Sequence, residues 1–412
     1  MTTGSIYRFP TADRILRDDP WSVFGELRER GEIIRIRLPF IGKTWAATSY
    51  DSVNSILKDA ELFARDPKNA GRKYMIPMQW MLPRSLITLA VNMIAFDGND
   101  HRRLRTLVDQ AFAMRNVDGM AEQIEKSAAA QMDKVEEIAK RDGQVDLIEN
   151  FASQIPLTVI CELLGLPLED RPQFRKWFSP FSGVSSVASI FKVGWNLRKL
   201  IRYLKEQFKQ VRIDPRPGLM TELVQVELEG DRLTETELLA MVFLLLAAGH
   251  ETTVHLISNS VFTLFQHPRS REELLSDWTM SHDFIEEVLR YASPLQMAKP
   301  RYVTRDMEYR NVTLTKGEMV TPMIAAANYD PARFESPETF DMHRPKNYHM
   351  SFGSGAHTCL GMKLARTETE HALKSLFQRW PDVTPAFDLA QPDWSTRIAT
   401  RGFKTLVVKP RT

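Results

Sequence analysis

The stretch from Ser351 to Gly361, SFGSGAHTCLG, decides the fold, and three of its residues are glycines. The residues after it predict a helix that begins just beyond Cys359, because they place apolar side chains at helical spacing: Met362, Leu364, Ala365, Ala372, Leu373 and Leu376. A thiolate in this position would meet the positive end of the helix dipole and several free backbone N–H groups, which favours metal ligation. A buried, inert cysteine beside a glycine-rich turn is the alternative.

The composition is that of a globular protein. The chain has 412 residues, with 54 basic and 52 acidic side chains and a net charge of +2. A near-balanced charge argues against a nucleic-acid binder that works by phosphate neutralisation. Hydrophobic residues at 43% and charged residues at 26% exclude long disorder and allow a large core.

The periodicity predicts a mostly α fold with small β-sheets. Ile34, Ile36 and Leu38 alternate with arginines and begin a two-stranded hairpin that continues through Trp45 and Ala47. Residues 101 to about 290 follow amphipathic helical spacing, with breaks expected at Gly165 to Pro167, Asp214 to Gly218 and His267-Pro268. Residues 301–322 return to alternation, which indicates a small sheet inserted late in the chain. No linker or repeat divides the sequence, so we expect a single domain over residues 1–412.

A second polar cluster lies inside an apolar helix. Thr234 and Glu237 form a capping-box pattern, and the helix is expected to run from Leu238 to Gln266. Ala247 to Thr253, AAGHETT, interrupts its apolar character, and Gly249 suggests close approach to the backbone. From the residues alone, the favoured interpretation is that Thr252 bonds to the Ala248 carbonyl, Glu251 is a solvated or paired charge and Gly249 makes a packing contact.

The remaining sequence signals concern location. The apolar run Leu238 to Gly249 falls short of the roughly 18 residues that a bilayer span needs, so we expect no membrane span. The N-terminus lacks the apolar core of a signal peptide, which predicts a cytoplasmic protein. Cys161 has apolar neighbours and is expected in the core, without a disulfide to Cys359.

The motif FGSGAHTCLG resembles the haem-ligand loop of the cytochrome P-450 superfamily. Six of its residues are in register: Phe352, Gly353, Gly355, His357, Cys359 and Gly361. The resemblance implies a fold in which haem b (iron protoporphyrin IX) lies between a long distal helix and a proximal cysteine loop and helix. It also implies that Cys359 is the fifth ligand of the iron, where a thiolate favours cleavage of the O–O bond.

The same resemblance extends to the distal helix. AGHETT is similar to the family's acid and alcohol pair, which implies that Thr252 hydrogen-bonds dioxygen while Glu251 relays protons to a dry site. Ala248 and Gly249 would then border the cofactor.

Two further sets of residues match the superfamily. Glu287 and Arg290 resemble the family's E-x-x-R element, although this spacing alone is usually a surface ion pair, and Arg344 would join them in a structural network. The haem propionates call for cationic partners, and the resemblance implies four: His101, Arg105, Arg301 and His357. Arg366 with Lys363, Arg102 and Arg103 could instead form a basic patch. One departure is Tyr329, where the family more often has arginine.

The resemblance implies a haem-thiolate monooxygenase. No G-x-G-x-x-G or flavin segment remains, so electrons should come from a separate ferredoxin with an NAD(P)H-dependent reductase. We expect a hydrophobic small-molecule substrate, because the pocket positions are apolar: Met81, Leu245, Ala248, Leu295, Met297, Ala298 and Ile398. Two alternatives are a peroxide-driven peroxygenase, against which Glu251 and Thr252 argue, and a non-catalytic haem or recruitment module.

Overall fold

The computed structural model describes residues 6–9, 19–38, 41–73, 89, 92–114, 117–178, 187–228, 230–395, 397 and 399–410. The chain forms two compact units. The first comprises Met1–Pro77, Ala128–Ser153 and Thr252–Thr412, and the second comprises Met78–Ser127 and Gln154–Glu251. The expectation of a single domain over residues 1–412 stays a prediction.

Helices dominate the described residues, as the periodicity predicted. They are α1 (Pro20–Arg30), α2 (Tyr50–Lys58), α3 (Gly98–Met114), α4 (Ala121–Asp142), α5 (Gln154–Leu164), α6 (Arg171–Phe178), α7 (Val187–Ile213), α8 (Leu219–Gln225), α9 (Glu235–Gln266), α10 (Pro268–Ser276), α11 (Ser281–Tyr291), α12 (Ile324–Asn328) and α13 (Met362–Arg379). The expected breaks are confirmed: α5 ends before Gly165, α7 ends before Asp214, and Pro268 opens α10, where its missing N–H costs nothing.

The strands are short. They are β1 (Tyr7–Arg8), β2 (Ile33–Leu38), β3 (Gly42–Ala47), β4 (Phe63–Ala64), β5 (Val145–Asp146), β6 (Glu227–Leu228), β7 (Asp231–Arg232), β8 (Arg301–Val303), β9 (Met307–Tyr309), β10 (Val312–Leu314), β11 (Met319–Pro322), β12 (Thr384–Pro385) and β13 (Val407–Lys409). The expected class, mostly α with small β-sheets, is confirmed.

The hairpin of β2 and β3 forms as the alternation predicted. The strands are antiparallel, with Leu38 opposite Gly42. The apolar side chains of β2 are buried, whereas Arg35 and Arg37 are exposed. The alternation therefore reports one buried face and one solvated face.

Strands from the late segment join this hairpin, which corrects the expectation of a separate late sheet. The six-stranded sheet has the order β1-β2-β3-β11-β8-β4, and β11 is parallel to β3 and antiparallel to β8. Only β9 and β10 pair as a hairpin of their own, turning through Arg310 and Asn311, which have φ angles of 47° and 63°. Alternation identifies strands but not their partners, because pairing across the chain leaves no local signal.

The helix α9 is the longest in the described chain. Its capping box is confirmed, because Thr234 N donates to Glu237 Oε2 at 2.8 Å and Glu237 N donates to Thr234 Oγ1 at 3.2 Å. By length and composition alone α9 could cross a membrane, since it continues past the apolar run on which the opposite expectation rested. Residues 253–265, however, are all buried within the protein, as in a core helix.

Buried polar side chains tie the second half of α9 to its own unit. The Asn259 amide donates to the Ala292 carbonyl at 2.7 Å and to the Arg401 carbonyl at 3.1 Å. Ser260 and Thr263 donate to carbonyls one turn back in the helix, at 2.8 and 2.7 Å. The Asn259 amide nitrogen and these two hydroxyls are thus hydrogen-bonded, which removes most of the cost of burying them.

Candidate active site

The cysteine loop brings together five of the predicted cofactor-binding residues: Phe352, Gly353, His357, Cys359 and Gly361. Cys359 N donates to the Phe352 carbonyl at 2.9 Å, which closes the loop. α13 begins at Met362, directly after Gly361, so the predicted start of the helix is confirmed. Cys359 is partly exposed, unlike Cys161, which is fully buried, and the two do not form a disulfide.

Glycine is required at one point of this loop. Gly355 has φ +74°, and a Cβ there would lie 2.8 Å from the Leu57 carbonyl oxygen and 3.0 Å from Lys58 Cα. Gly353 also has a left-handed φ, of +73°. At Gly355 the loop therefore packs backbone to backbone on the end of α2, and no larger residue fits there, whereas Gly353 is favoured by its φ angle alone.

The predicted oxygen-activating residues lie near the middle of α9. Glu251 and Thr252 are half-buried, and Ala247, Ala248 and Gly249 are exposed. A Cβ at Gly249 would meet nothing within 4 Å. Three small, exposed residues of α9 therefore lie just before the part of the helix that is wholly buried.

The predicted ion network is formed, and it is buried rather than a surface pair. Arg290 Nε and Nη2 donate to the two carboxylate oxygens of Glu287 at 2.8 and 2.7 Å, and Arg344 Nε donates to Glu287 Oε1 at 3.2 Å. Arg290 and Glu287 are fully buried. Arg290 also donates to the carbonyls of Asn328, Pro337 and Thr339, so the network fixes the chain before the cysteine loop.

The four predicted propionate partners differ in setting. His101 is buried in α3, and one turn later Arg105 pairs with Asp109 at 2.9 Å. In the other unit Arg301 is 4% exposed and opens β8, and His357 is half-buried in the cysteine loop.

Two cations that the sequence analysis missed lie beside Arg301. Arg65 Nη1 donates to the Pro300 carbonyl at 2.6 Å. The Lys299 side chain is exposed to solvent. The protein atoms packed around it and the nearby positive charge of Arg65 nevertheless lower its pKa to about 8. Nothing in the sequence indicates Arg65, whereas Lys299 stands only two residues before Arg301.

The described residues fit the expected haem. Arg65, Lys299 and Arg301 gather positive charge, and the nearby Arg65 contributes to the lowered pKa of Lys299. Two propionate carboxylates would suit such a cationic cluster. The open face at Gly249 suits a flat group, and a cysteine at the start of a helix suits the iron.

The expected basic patch is wrong for two of its members. Arg103 pairs with Asp231 at 3.0 Å and with Glu237, within the second unit. Arg366 pairs with Glu286 through two hydrogen bonds, of 2.6 and 2.9 Å. Both guanidiniums are therefore neutralised by carboxylates that their positions in the sequence do not reveal.

The departure at Tyr329 has a physical explanation. The side chain is buried and stacks on Phe24 with ring centroids 6.2 Å apart. Its hydroxyl donates to the Tyr291 carbonyl, and Arg401 Nη1 lies 3.4 Å from the same hydroxyl. Burial raises the pKa of Tyr329 to about 12, so the hydroxyl stays neutral. The positive charge next to this hydroxyl belongs to Arg401, which lies in another part of the chain.

The predicted pocket residues are only partly described. Met297 is buried, and Leu295 and Ala298 are half-buried beside it in the chain. Leu245 is half-buried in α9 and Ala248 is exposed there. Met81 and Ile398 lie outside the described residues.

Known proteins resemble this chain over almost its whole length. A family model described as Cytochrome P450 matches residues 196–279 and 272–385. The polyketide biosynthesis cytochrome P450 PksS of Bacillus subtilis (strain 168) is 36% identical over 393 residues, 95% of either chain. The 6-deoxyerythronolide B hydroxylase of Saccharopolyspora erythraea is 32% identical over 396 residues, 95% of this chain and 96% of that protein.

A solved structure gives the same result. The structure of PksS from Bacillus subtilis 168 matches with a TM-score of 0.88 and 34% identity, and the match covers 98% of this chain and 100% of that chain. Likeness in sequence and in backbone thus extends over almost the whole chain. The chain belongs to the cytochrome P450 family, whose members bind haem b and act as monooxygenases.

Proposed function

We propose that this enzyme uses Cys359 as the thiolate ligand of the haem iron and oxygenates a hydrophobic small molecule. The observation that carries the proposal is the cysteine loop. Cys359 is partly exposed, donates its N–H to the Phe352 carbonyl, and stands three residues before Met362, where α13 begins. Backbone N–H groups at a helix start stabilise a thiolate, so the loop is suited to hold one.

Glu251 and Thr252 are the proposed proton-delivery residues. The overall reaction takes one substrate C–H bond, one dioxygen molecule, two electrons and two protons, and gives an alcohol and one water. Activation of dioxygen is the chemistry that bound haem would supply. Glu251 would pass protons inward, and the Thr252 hydroxyl would hold the accepting oxygen by a hydrogen bond, because a water-poor site needs a defined proton path.

The substrate class is inferred from the pocket side chains and the relatives. Leu245, Leu295, Met297 and Ala298 offer apolar surface, and methionine adapts to irregular shapes. The two relatives described above are named for polyketide biosynthesis and for hydroxylation of 6-deoxyerythronolide B. These names support an apolar substrate, and compounds that displace iron-bound water would identify it in a difference-spectrum screen. Displacement only by strongly charged compounds would contradict this class.

The electron donor is proposed from the chain's own content. The match to a solved cytochrome P450 structure covers 98% of this chain. The sequence contains no G-x-G-x-x-G motif. A separate ferredoxin and an NAD(P)H-dependent reductase would therefore supply the two electrons, in the cytoplasm. Turnover with peroxide but none with ferredoxin and dioxygen would favour the peroxygenase alternative.

The test of the ligand is the carbon monoxide difference spectrum of the dithionite-reduced protein. A thiolate ligand gives the red-shifted band from which the family takes its name. Cys359→Ser should abolish that band, whereas Cys161→Ser should retain it because Cys161 is a buried core residue in α5. A wild-type band typical of histidine or neutral-thiol ligation would withdraw the assignment of Cys359.

The test of the proton path is the coupling of electron use to product. Thr252→Ala should bind haem and substrate normally but divert reducing equivalents to peroxide. Thr253→Ala is the matched control, because Thr253 is the adjacent, buried threonine of the same helix. Unchanged coupling in Thr252→Ala would remove Thr252 from the path.

A further inference from the structure

Glu286, His349, Phe352 and Arg366 form a second network beside the Glu287 network, which we call the Glu286 clamp. Glu286 and Glu287 are neighbours on α11, but their carboxylates bind different partners. Glu287 holds Arg290 and Arg344, whereas Glu286 holds Arg366 of α13 and His349 of the segment before the cysteine loop.

The first arm of the clamp reaches the Phe352 ring. Arg366 donates Nε and Nη2 to the two oxygens of Glu286, at 2.6 and 2.9 Å, in the bidentate geometry that suits a guanidinium. The same guanidinium lies over the Phe352 ring, 4.6 Å from its centroid. A guanidinium fixed at its edge by a carboxylate cannot swing away from the aromatic face, so Glu286 holds Arg366 on Phe352.

The second arm reaches the backbone next to Phe352. Ser351 N donates to His349 Nδ1 at 3.2 Å, so Nδ1 presents a lone pair. In the neutral ring the proton is therefore on Nε2, which contacts Glu286 Oε2 at 3.3 Å without the geometry of a hydrogen bond. The His349 ring is buried and also packs near Phe352, with centroids 5.8 Å apart.

The Glu286 carboxylate is suited to this central position. Burial alone would raise its pKa, but the contacts with His349 and with the Arg366 guanidinium outweigh that effect and lower the pKa to about 2. The carboxylate is thus ionised throughout the physiological range and both arms have a permanent acceptor.

We propose that Glu286 is a positioning residue for the cysteine loop. Through Arg366 it fixes the Phe352 ring, and through His349 it fixes the Ser351 N–H. Because Cys359 N donates to the Phe352 carbonyl, the clamp also fixes the backbone from which the Cys359 side chain extends. Groups that orient a metal ligand without touching the metal are known to tune its properties. This inference rests on the proposed role of Cys359 as the haem ligand.

The experiment uses the holoenzyme and a chemical reductant, so that no protein electron donor is involved. Glu286→Gln removes the charge of the clamp, and Asp283→Asn is the matched control, because Asp283 is an exposed acidic residue of the same helix. In moderate urea, the carbon monoxide band of the thiolate form should decay about tenfold faster in Glu286→Gln, the factor expected for loss of one hydrogen bond to a charged group. Asp283→Asn should decay at the wild-type rate.

The reduction potential of the haem gives a second readout that a merely structural role would not move. Without the Glu286 carboxylate, the positive charge of Arg366 beside the cysteine loop is no longer balanced. A positive charge near the haem favours the reduced iron, so the reduction potential should shift to a more positive value. Should Glu286→Gln fail to accumulate with haem, Arg366→Lys tests the decay rate instead. It loses the bidentate bond, so decay should be faster, but it keeps both charges, so the potential should stay at the wild-type value.

The outcomes separate this inference from the ligand assignment. A wild-type protein without the thiolate band overturns the role of Cys359 and this inference with it. A normal wild-type band, with Glu286→Gln equal to Asp283→Asn in decay rate and in potential, overturns the inference alone. Faster decay together with the shifted potential supports it.

Discussion

Gly402 lies against the imidazole ring of His255, so closely that a Cβ at residue 402 would overlap the ring. His255 is buried in α9, three residues after Thr252. Burial lowers the pKa of His255 to about 4, so the ring is neutral at physiological pH. The C-terminal segment is thus packed directly on the turn of the helix that carries the proposed oxygen-activating threonine.

Gly402→Ala should destabilise the protein by about 2 kcal/mol or more, because a packed ring must leave its position. Urea unfolding followed by circular dichroism measures this. Gly25→Ala is the control, since a Cβ there would meet only the far end of Arg28, at 3.9 Å. In the double variant Gly402→Ala with His255→Ala, the loss in the free energy of unfolding should be smaller than the sum of the losses in the two single variants. Strict additivity would show that the ring does not contact residue 402.

Glu287→Gln should cost about 3–5 kcal/mol, the range for breaking one partner of a buried ion pair. The glutamine would leave the buried Arg290 without a counter-charge and would weaken the bonds that Arg344 and Asn347 make to Glu287. Urea unfolding of the apoprotein measures the loss. Glu338→Gln changes an exposed glutamate in the segment before Arg344 and should be neutral. A loss below 1 kcal/mol would mean that the network contributes little to folding.

Glu368→Gln should stabilise the protein above neutral pH. Burial raises the pKa of the Glu368 carboxyl to about 8, and its Oε2 makes no hydrogen bond within the described part of the chain. Between the ordinary pKa of a glutamate and pH 8 the folded state holds a proton that the unfolded state has lost, so stability falls as the pH rises. The variant should gain on the order of 3 kcal/mol at pH 8 and little at pH 4. Equal gains at both values would contradict the raised pKa.

Lys299→Met should have opposite effects on the apoprotein and on haem retention. Removing an ammonium that burial and Arg65 destabilise should leave the apoprotein at least as stable as the wild type. Removing a propionate partner should accelerate transfer of haem to an acceptor protein about tenfold, as expected for a lost charged hydrogen bond. Lys316→Met, at an exposed lysine, should change neither quantity. Unaltered haem transfer in Lys299→Met would exclude Lys299 from the propionate site.

The sequence by itself determined the features whose signals are local. The start of α13 after Cys359, the capping box of Thr234 and Glu237, and the helix breaks at Gly165 and Pro268 follow from spacing, caps and backbone restrictions of neighbouring residues. The association of Glu287 with Arg290 was also within reach, since both lie on one helical turn.

The tertiary structure alone decided which distant groups meet. It paired β11 with β3, placed Glu286 opposite Arg366, and brought Arg65 beside Lys299. It also turned an ordinary E-x-x-R spacing into a fully buried pair. Such contacts join residues separated by tens to hundreds of positions, and they depend on the packing of the whole chain, whereas periodicity records only which face of each element is buried.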